Sequence, residues 1–284
     1  MRINAMQFQA GLSMSEFFAS YGTAAKSYRA VYKWWWPQGF RCPCCAGRAW
    51  CCDLLPTQRL PSSDQSDDGT MFEGTKLPPR TRMPALHLLT STKTNMAALE
   101  LMRHLGGNYK SAWRMKHKIM QVMAEREATR RLSGFVQIDA TFTAPSYVVI
   151  EPVRSFDNAS LKDWTAHRLA RECEVYTDGL ACFRRLEDAG HAHTTLDTGG
   201  GRAATEAAGD RWVNVVLGNL KRAIGGVYHA ITQGKYARRY LAEAAYRFNR
   251  RFQLRELLPR LTKAMMQCKP CPESVLRAAS NFHN

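Results

Sequence analysis

No apolar stretch of this 284-residue chain approaches the roughly 20 residues that a membrane-spanning helix needs. That excludes an integral helical membrane protein. The first residues, Met1-Arg-Ile-Asn-Ala-Met-Gln-Phe-Gln, hold no apolar core of the kind a secretory leader carries, so a cytoplasmic location is expected. Acidic residues are the scarce charge. Asp and Glu number 24 against 40 Lys and Arg, which leaves a net charge of +16 and a pI near 9.7. Such an excess points to a polyanionic partner, most simply nucleic acid. Also missing nearby is a second C-x-x-C to complete a zinc site; Cys268-Lys-Pro-Cys271 has the spacing but lies far along the chain in a helical tail. Cys42 and Cys45 have zinc-ligand spacing, yet 53–68 contains no cysteine and Cys51-Cys52 is the nearby supply. Nine cysteines without a leader fit a reducing compartment and metal binding better than disulfides.

What is present is an ordinary globular composition, 45% hydrophobic, sufficient for a core. Residues 1–36 read as helical and end at Trp34-Trp35-Trp36 before the breaker Pro37-Gln-Gly39. Residues 56–70, rich in Pro, Ser, Asp and Gln, read as loop. Helices are expected over 82–131, interrupted by Gly106-Gly107-Asn108, a layout compatible with a helix-turn-helix or with a plain helical hairpin. The second helix carries Lys110, Arg114, Lys116, His117 and Lys118, suited to phosphate contacts.

After Phe135 the pattern changes. Runs at 135–142, 146–150 and 173–177 read as strands, with a helix over 159–172 that makes the last two a βαβ unit. Helices return from about Trp212, with breaks expected near Gly225-Gly226 and Pro259. Residues 236–251 form an amphipathic helix whose Arg238, Arg239, Arg247, Arg250 and Arg251 are expected to face a DNA backbone; Arg222 joins that set.

Three polar residues interrupt the apolar pattern. Asp139 ends Phe135-Val-Gln-Ile-Asp139, and Asp178 ends Glu174-Val-Tyr-Thr-Asp178. Carboxylates at two strand ends, with one further polar ligand, suit Mg²⁺, which prefers hard oxygen donors. On 212–222, Val213, Val216, Leu217 and Leu220 repeat as one buried helical face, while Asn214 and Lys221 share another face two turns apart. Asn214 offers a carbonyl oxygen and Lys221 a point charge for phosphate. His191 and His193 read as loop residues.

The motifs together resemble the bacterial insertion-sequence transposases of the 1595 family. They are Tyr21-Gly-Thr, Trp36-Pro-Gln-Gly-Phe-Arg-Cys-Pro, Gly69-Thr-Met-Phe-Glu-Gly-Thr-Lys-Leu-Pro and Leu99-Glu-Leu-Met-Arg-His-Leu-Gly. Then follow Ala112-Trp-Arg-Met-Lys-His-Lys, Gln137-Ile-Asp139, Thr177-Asp-Gly-Leu180, Trp212-Val-Asn214 through Lys221, Tyr228-His229, Arg239-Tyr-Leu and Tyr246-Arg-Phe-Asn-Arg-Arg251.

The resemblance implies an α/β RNase H-like catalytic domain, shortened here, preceded by a helical, helix-turn-helix-like region and a degenerate zinc ribbon. The implied segments are 1–75, 76–132, 133–255 and a helical tail at 256–284. It implies Asp139, Asp178 and Asn214 as the metal-binding triad for Mg²⁺ or Mn²⁺, with Lys221 trailing. Double-stranded DNA, as terminal inverted repeats and target, is the implied partner of a homo-oligomer assembled on DNA, with no membrane involved. Two departures stand out. The second C-x-x-C expected before Gly69-Thr is absent, since 53–68 contains no cysteine, and Asp139-Ala-Thr-Phe-Thr-Ala-Pro runs almost directly into Tyr147-Val-Val-Ile, short by about one hairpin. The alternatives are a DNA-binding remnant without catalysis and a zinc-dependent DNA-binding regulator.

Overall fold

The computed structural model describes residues 11–39, 47, 69–92, 94–138, 147–153, 155–177, 180–195, 211–228 and 234–278, with backbone alone for 137–138 and 211–214. In chain order the elements are α1 (Met14–Tyr21), α2 (Ala24–Trp35), α3 (Pro79–Ser91), α4 (Ala98–Leu105), α5 (Tyr109–Ala128) and β1 (Phe135–Ile138). They continue with α6 (Asn158–Arg168), β2 (Glu174–Thr177), α7 (Arg185–Asp188), β3 (Ala192–Thr195) and α8 (Arg211–Ala223). The last are α9 (Ala237–Phe248), α10 (Leu254–Gln267) and α11 (Glu273–Arg277).

Two compact units result, one built from the chain up to Met123 with Arg250–Ala278, the other from Ala124–Asn249. The first is helical. Its helices start where side chains satisfy the free N–H groups of the first turn. Ser13 and Glu16 form a reciprocal capping box at α1, with Glu16 N donating to Ser13 Oγ at 3.2 Å and Ser13 N to Glu16 Oε2 at 2.9 Å. Thr23 caps α2 through Lys26 N. Gly106 ends α4 in the left-handed region at φ 67°, where a Cβ is strained. The core holds Phe17, Met71, Met83, Leu86, Leu101, Met115, Ile119, Leu261 and Met265. The break expected near Pro259 does not occur: α10 runs through it, and Leu257, Leu258 and Leu261 around it are buried.

The second unit holds a fully parallel sheet in the order β1-β2-β3. β1, α6 and β2 make the βαβ unit, so its first strand is Phe135–Ile138. The run at 146–150, expected to be that strand, has no regular structure over 147–150. Val148 instead satisfies its backbone on one side chain: its N–H donates to Asn249 Oδ1 at 2.7 Å and its carbonyl accepts from Asn249 Nδ2 at 2.9 Å. Asp157 caps α6 through Ser160 N at 2.7 Å. One sheet face packs Val136 and Val175 with Leu169, Cys173, Cys182, Phe183 and Leu186 in a small core. On the other face Phe135 is exposed and stacks on Tyr176, with ring centroids 4.5 Å apart.

Candidate functional site

The strand ends define the site. β1 and β2 run parallel in register, and Ile138 pairs with Thr177. Those are the residues immediately before Asp139 and Asp178. Asp139 and Asp178 themselves lie outside the described residues, as do Cys42 and Cys45. Neighbouring strands are about 4.8 Å apart, so the chain leaves the same sheet edge twice, side by side, just ahead of the two aspartates.

The end of β2 is pinned from the third strand. Thr177 is fully buried, and its Oγ1 lies 2.9 Å from His193 Nε2. The other ring nitrogen, Nδ1, lies 3.8 Å from Glu187 Oε1, and the imidazole is almost wholly enclosed. His193 is therefore a strand residue that ties β2 to β3, where the sequence read a loop. The signal was weak because Ala192-His-Thr-Thr195 lacks the branched apolar residues that mark a strand. Register explains the contact: His193 aligns with Val175, two residues before Thr177 on the same face.

Asn214 and Lys221 both lie on α8. The Asn214 side chain is outside the described set, and Lys221 is exposed. Of the stripe expected to be buried, Val216, Leu217 and Leu220 are half-buried, so it is only partly covered over the residues whose side chains are described. Aliphatic side chains at helical spacing need an apolar partner surface to become a core face.

The basic residues divide sharply. Lys110 is 66% exposed and sits 3.8 Å from Glu273, and Arg114 lies 3.4 Å from the same carboxylate. Arg277 Nε also donates to Glu273, at 2.8 Å. The hydrogen bond from Arg277, with the nearby cations, holds the Glu273 carboxyl below its usual range. Arg222 is exposed and donates to Asn219 on its own helix. Arg250 is half-buried.

Lys116, Lys118, Arg239 and Arg247 were expected on a phosphate-facing surface, and the structure buries them. From Ala112 to Ala124, α5 is enclosed on almost every side, so its cations point into protein. Lys118 is 2% exposed. Its ammonium donates to Met71 O at 2.7 Å, Glu73 O at 2.8 Å and Thr75 Oγ1 at 3.2 Å. Burial, with Arg114 nearby, pushes its pKa down to about 8. The ammonium latches the Gly69–Thr75 turn onto α5. A sequence signal existed: Lys118 falls three residues after Met115 and four before Val122, on an apolar stripe. Arg239 lies on the packed face of α9 with Ala242, Glu243 and Tyr246, and Arg247 is largely covered beside it. Arg247 is 4.0 Å from Glu243, which accepts from Tyr228 Oη at 2.9 Å.

Arg168 is a further buried cation. It pairs with Glu151 and donates to the carbonyls of Ala128 and, at 3.2 Å, Arg130, closing the end of α5. Among the described residues no group of three or more His, Cys, Asp or Glu is placed to hold a metal. No described helix is long and apolar enough to cross a membrane.

A basic, mostly helical α/β protein with a small parallel sheet, two aspartates following its paired strand ends, belongs to the class of folds compatible with a transposase catalytic domain. The sequence model of the ISXO2-like transposase domain matches residues 103–249, just over half of the chain. The protein therefore belongs to that family, the insertion-sequence 1595 transposases. No curated protein and no solved structure matches the chain.

Proposed function

We propose that this transposase binds double-stranded DNA and catalyses Mg²⁺-dependent cleavage and strand transfer through Asp139, Asp178 and Asn214, with Lys221 on phosphate. The observation that carries this reading is the pairing of Ile138 with Thr177, which brings the chain to both aspartates from neighbouring parallel strand ends. Two carboxylates so placed, with the side-chain oxygen of Asn214, suit a hard divalent cation. When bound, Mg²⁺ or Mn²⁺ supplies activation of the attacking oxygen and stabilisation of the leaving one. The chain's own part is to hold the carboxylates by a rigid, His193-pinned sheet edge and to place a cation, Lys221, beside a neighbouring phosphate.

The helix pair α4–α5 fits the proposed DNA-binding element. Gly106 makes the tight turn, and Tyr109, Lys110 and Arg114 occupy the first two turns of α5, the part of a recognition helix that meets DNA. Lys110, Arg114, Arg222 and Arg250 remain the proposed phosphate contacts. Cys42 and Cys45 belong in the proposal to a degenerate zinc ribbon; metal analysis of the purified chain tests this, with about one zinc atom per chain expected and metal-free protein counting against it. Oligomeric assembly on transposon ends and a cytoplasmic site of action complete the reading. The half-covered stripe on α8 favours one second reading, a remnant that binds DNA without cutting it.

The experiment is Mg²⁺-dependent processing of a labelled transposon end by the full chain and by Asp178→Ala. Loss of cleavage and transfer with unchanged DNA affinity is expected. Transfer retained by the variant removes Asp178 from the site; binding without cleavage in the wild type establishes the remnant.

A further inference from the structure

The first unit contains a pocket that opens to solvent. Its lining is aromatic to an unusual degree for a helical core: Tyr28, Tyr32, Trp35 and Trp36 from α2 and its C-cap face Phe72 and Pro79. Trp35 and Trp36 stack on one another, with centroids 4.5 Å apart and planes 8° apart. Tyr32 leans against Trp36 at 4.9 Å. All four of these residues are half-buried, which leaves part of their surface open to solvent. Arg82 lies in the wall but is committed to it, donating to Thr75 O at 3.1 Å and to Leu77 O, with its guanidinium 5.0 Å from the Phe72 ring.

Charge decides the occupant. The same two segments carry the exposed cations Arg29, Lys33, Lys76 and Arg80. The exposed acid between them, Glu73, accepts a hydrogen bond from Gly69 N at 2.8 Å. A slot of flat π surface beside cations on both walls suits a ligand with a planar face and a phosphate tail. Aliphatic or lipid ligands use the apolar surface but not the cations. Stacking of a base on an aromatic side chain needs no base-specific hydrogen bond.

We propose that this cavity takes up one unpaired nucleobase of DNA, with Arg29 and Lys33 on the adjoining phosphates. The proposal rests on the DNA-binding reading and specifies a contact that the interior of a duplex does not satisfy, because bases stacked within it have no free face. It assigns α2 a role at a frayed end, an overhang or a distorted junction.

The test compares a short blunt duplex with the same duplex extended by a 3′ tail bearing 2-aminopurine, using the full chain. The tail should strengthen binding about tenfold, the effect of one stacking contact, and the 2-aminopurine fluorescence should be quenched on binding. Trp36→Leu should abolish both effects while blunt-duplex affinity stays unchanged, and Trp36→Phe should restore part of them. Val31→Phe, which fills the cavity without removing a stacking ring, should abolish them as well and serves if Trp36→Leu fails to fold. Equal affinity for the two duplexes without quenching overturns the proposal and leaves DNA binding intact. Quenching that survives Val31→Phe places the base elsewhere and also overturns it. Failure to bind either duplex overturns the DNA-binding reading instead.

Discussion

Replacing Lys118 with methionine removes an ammonium that is 2% exposed and makes three hydrogen bonds, to Met71 O, Glu73 O and Thr75 Oγ1. Two effects oppose one another. The apolar stem is retained and an interior charge disappears, which is favourable. Against that, the carbonyl of fully buried Met71 loses its donor, at a cost of about 1–3 kcal/mol, while the groups of exposed Glu73 and half-buried Thr75 can turn to water. A net loss of about 1–2 kcal/mol follows. The pH dependence is the sharper signature. Burial lowers the Lys118 pKa from 10.5 to about 8, so between those values the unfolded chain holds the extra proton. Stability contributed by this site therefore rises as pH goes from about 8 to 10.5, by at most about 3 kcal/mol. In Lys118→Met that slope is absent. The assay is urea unfolding of both proteins at pH 7.5, 9 and 10, followed by fluorescence, with the difference in unfolding free energy plotted against pH. The wild type should gain on the variant as pH rises. A difference that is flat or falls across this range refutes the placement of a charged Lys118 in the interior.

Glu273→Gln releases Lys110 and Arg114 from their shared carboxylate; duplex affinity at low salt should rise about two- to threefold with a steeper salt dependence, measured by fluorescence anisotropy. Asn249→Asp places a second carboxylate where Asn249 Nδ2 now lies 2.7 Å from Glu127 Oε2; it should destabilise the second unit by about 3 kcal/mol, more than Asn249→Ala does, and the reverse order in denaturant melts would contradict the bonding described. His87 is buried and stacked on Phe17 at 4.5 Å, and burial lowers its pKa. Its neutral form stabilises the fold above the unfolded value near 6.5 and that stability is lost as pH falls below it; His87→Leu should flatten this acid limb in melts between pH 7 and 5.

Much of the architecture was legible in local signals. The helical stretch read over 1–36 is two helices in the structure, started by the Ser13 and Thr23 caps, and the helix read over 159–172 starts at the Asp157 cap. Gly106 announces the α4–α5 turn through its left-handed backbone. Phe135–Ile138 and Glu174–Thr177 read as strands because short apolar, branched runs suit a buried parallel sheet. The run Tyr147-Val-Val-Ile150 carries the same signal and is not a strand: the backbone of Val148 found a partner in the amide of Asn249, about a hundred residues away, which no local pattern encodes. β3 was hidden for the opposite reason, since Ala192-His-Thr-Thr195 is polar and earns its place by pairing with β2.

By itself, then, the sequence determined the excess of positive charge, the helix–turn–helix layout around Gly106, two strands each leading to an aspartate, and motifs shared along the chain with one transposase family. These follow from composition and from interactions among residues close in the chain. The tertiary structure alone decided which cations face outward. Lys110 and Arg222 do, while Lys116, Lys118 and Arg239 are enclosed and Arg247 is largely so, because α5 and α9 are packed around these positions; only for Lys118 did helical spacing carry a signal of it. It also decided that Ile138 and Thr177 are register partners. Strand pairing is a long-range choice made by the whole sheet, and it is what sets side by side the two strand ends that precede the aspartates.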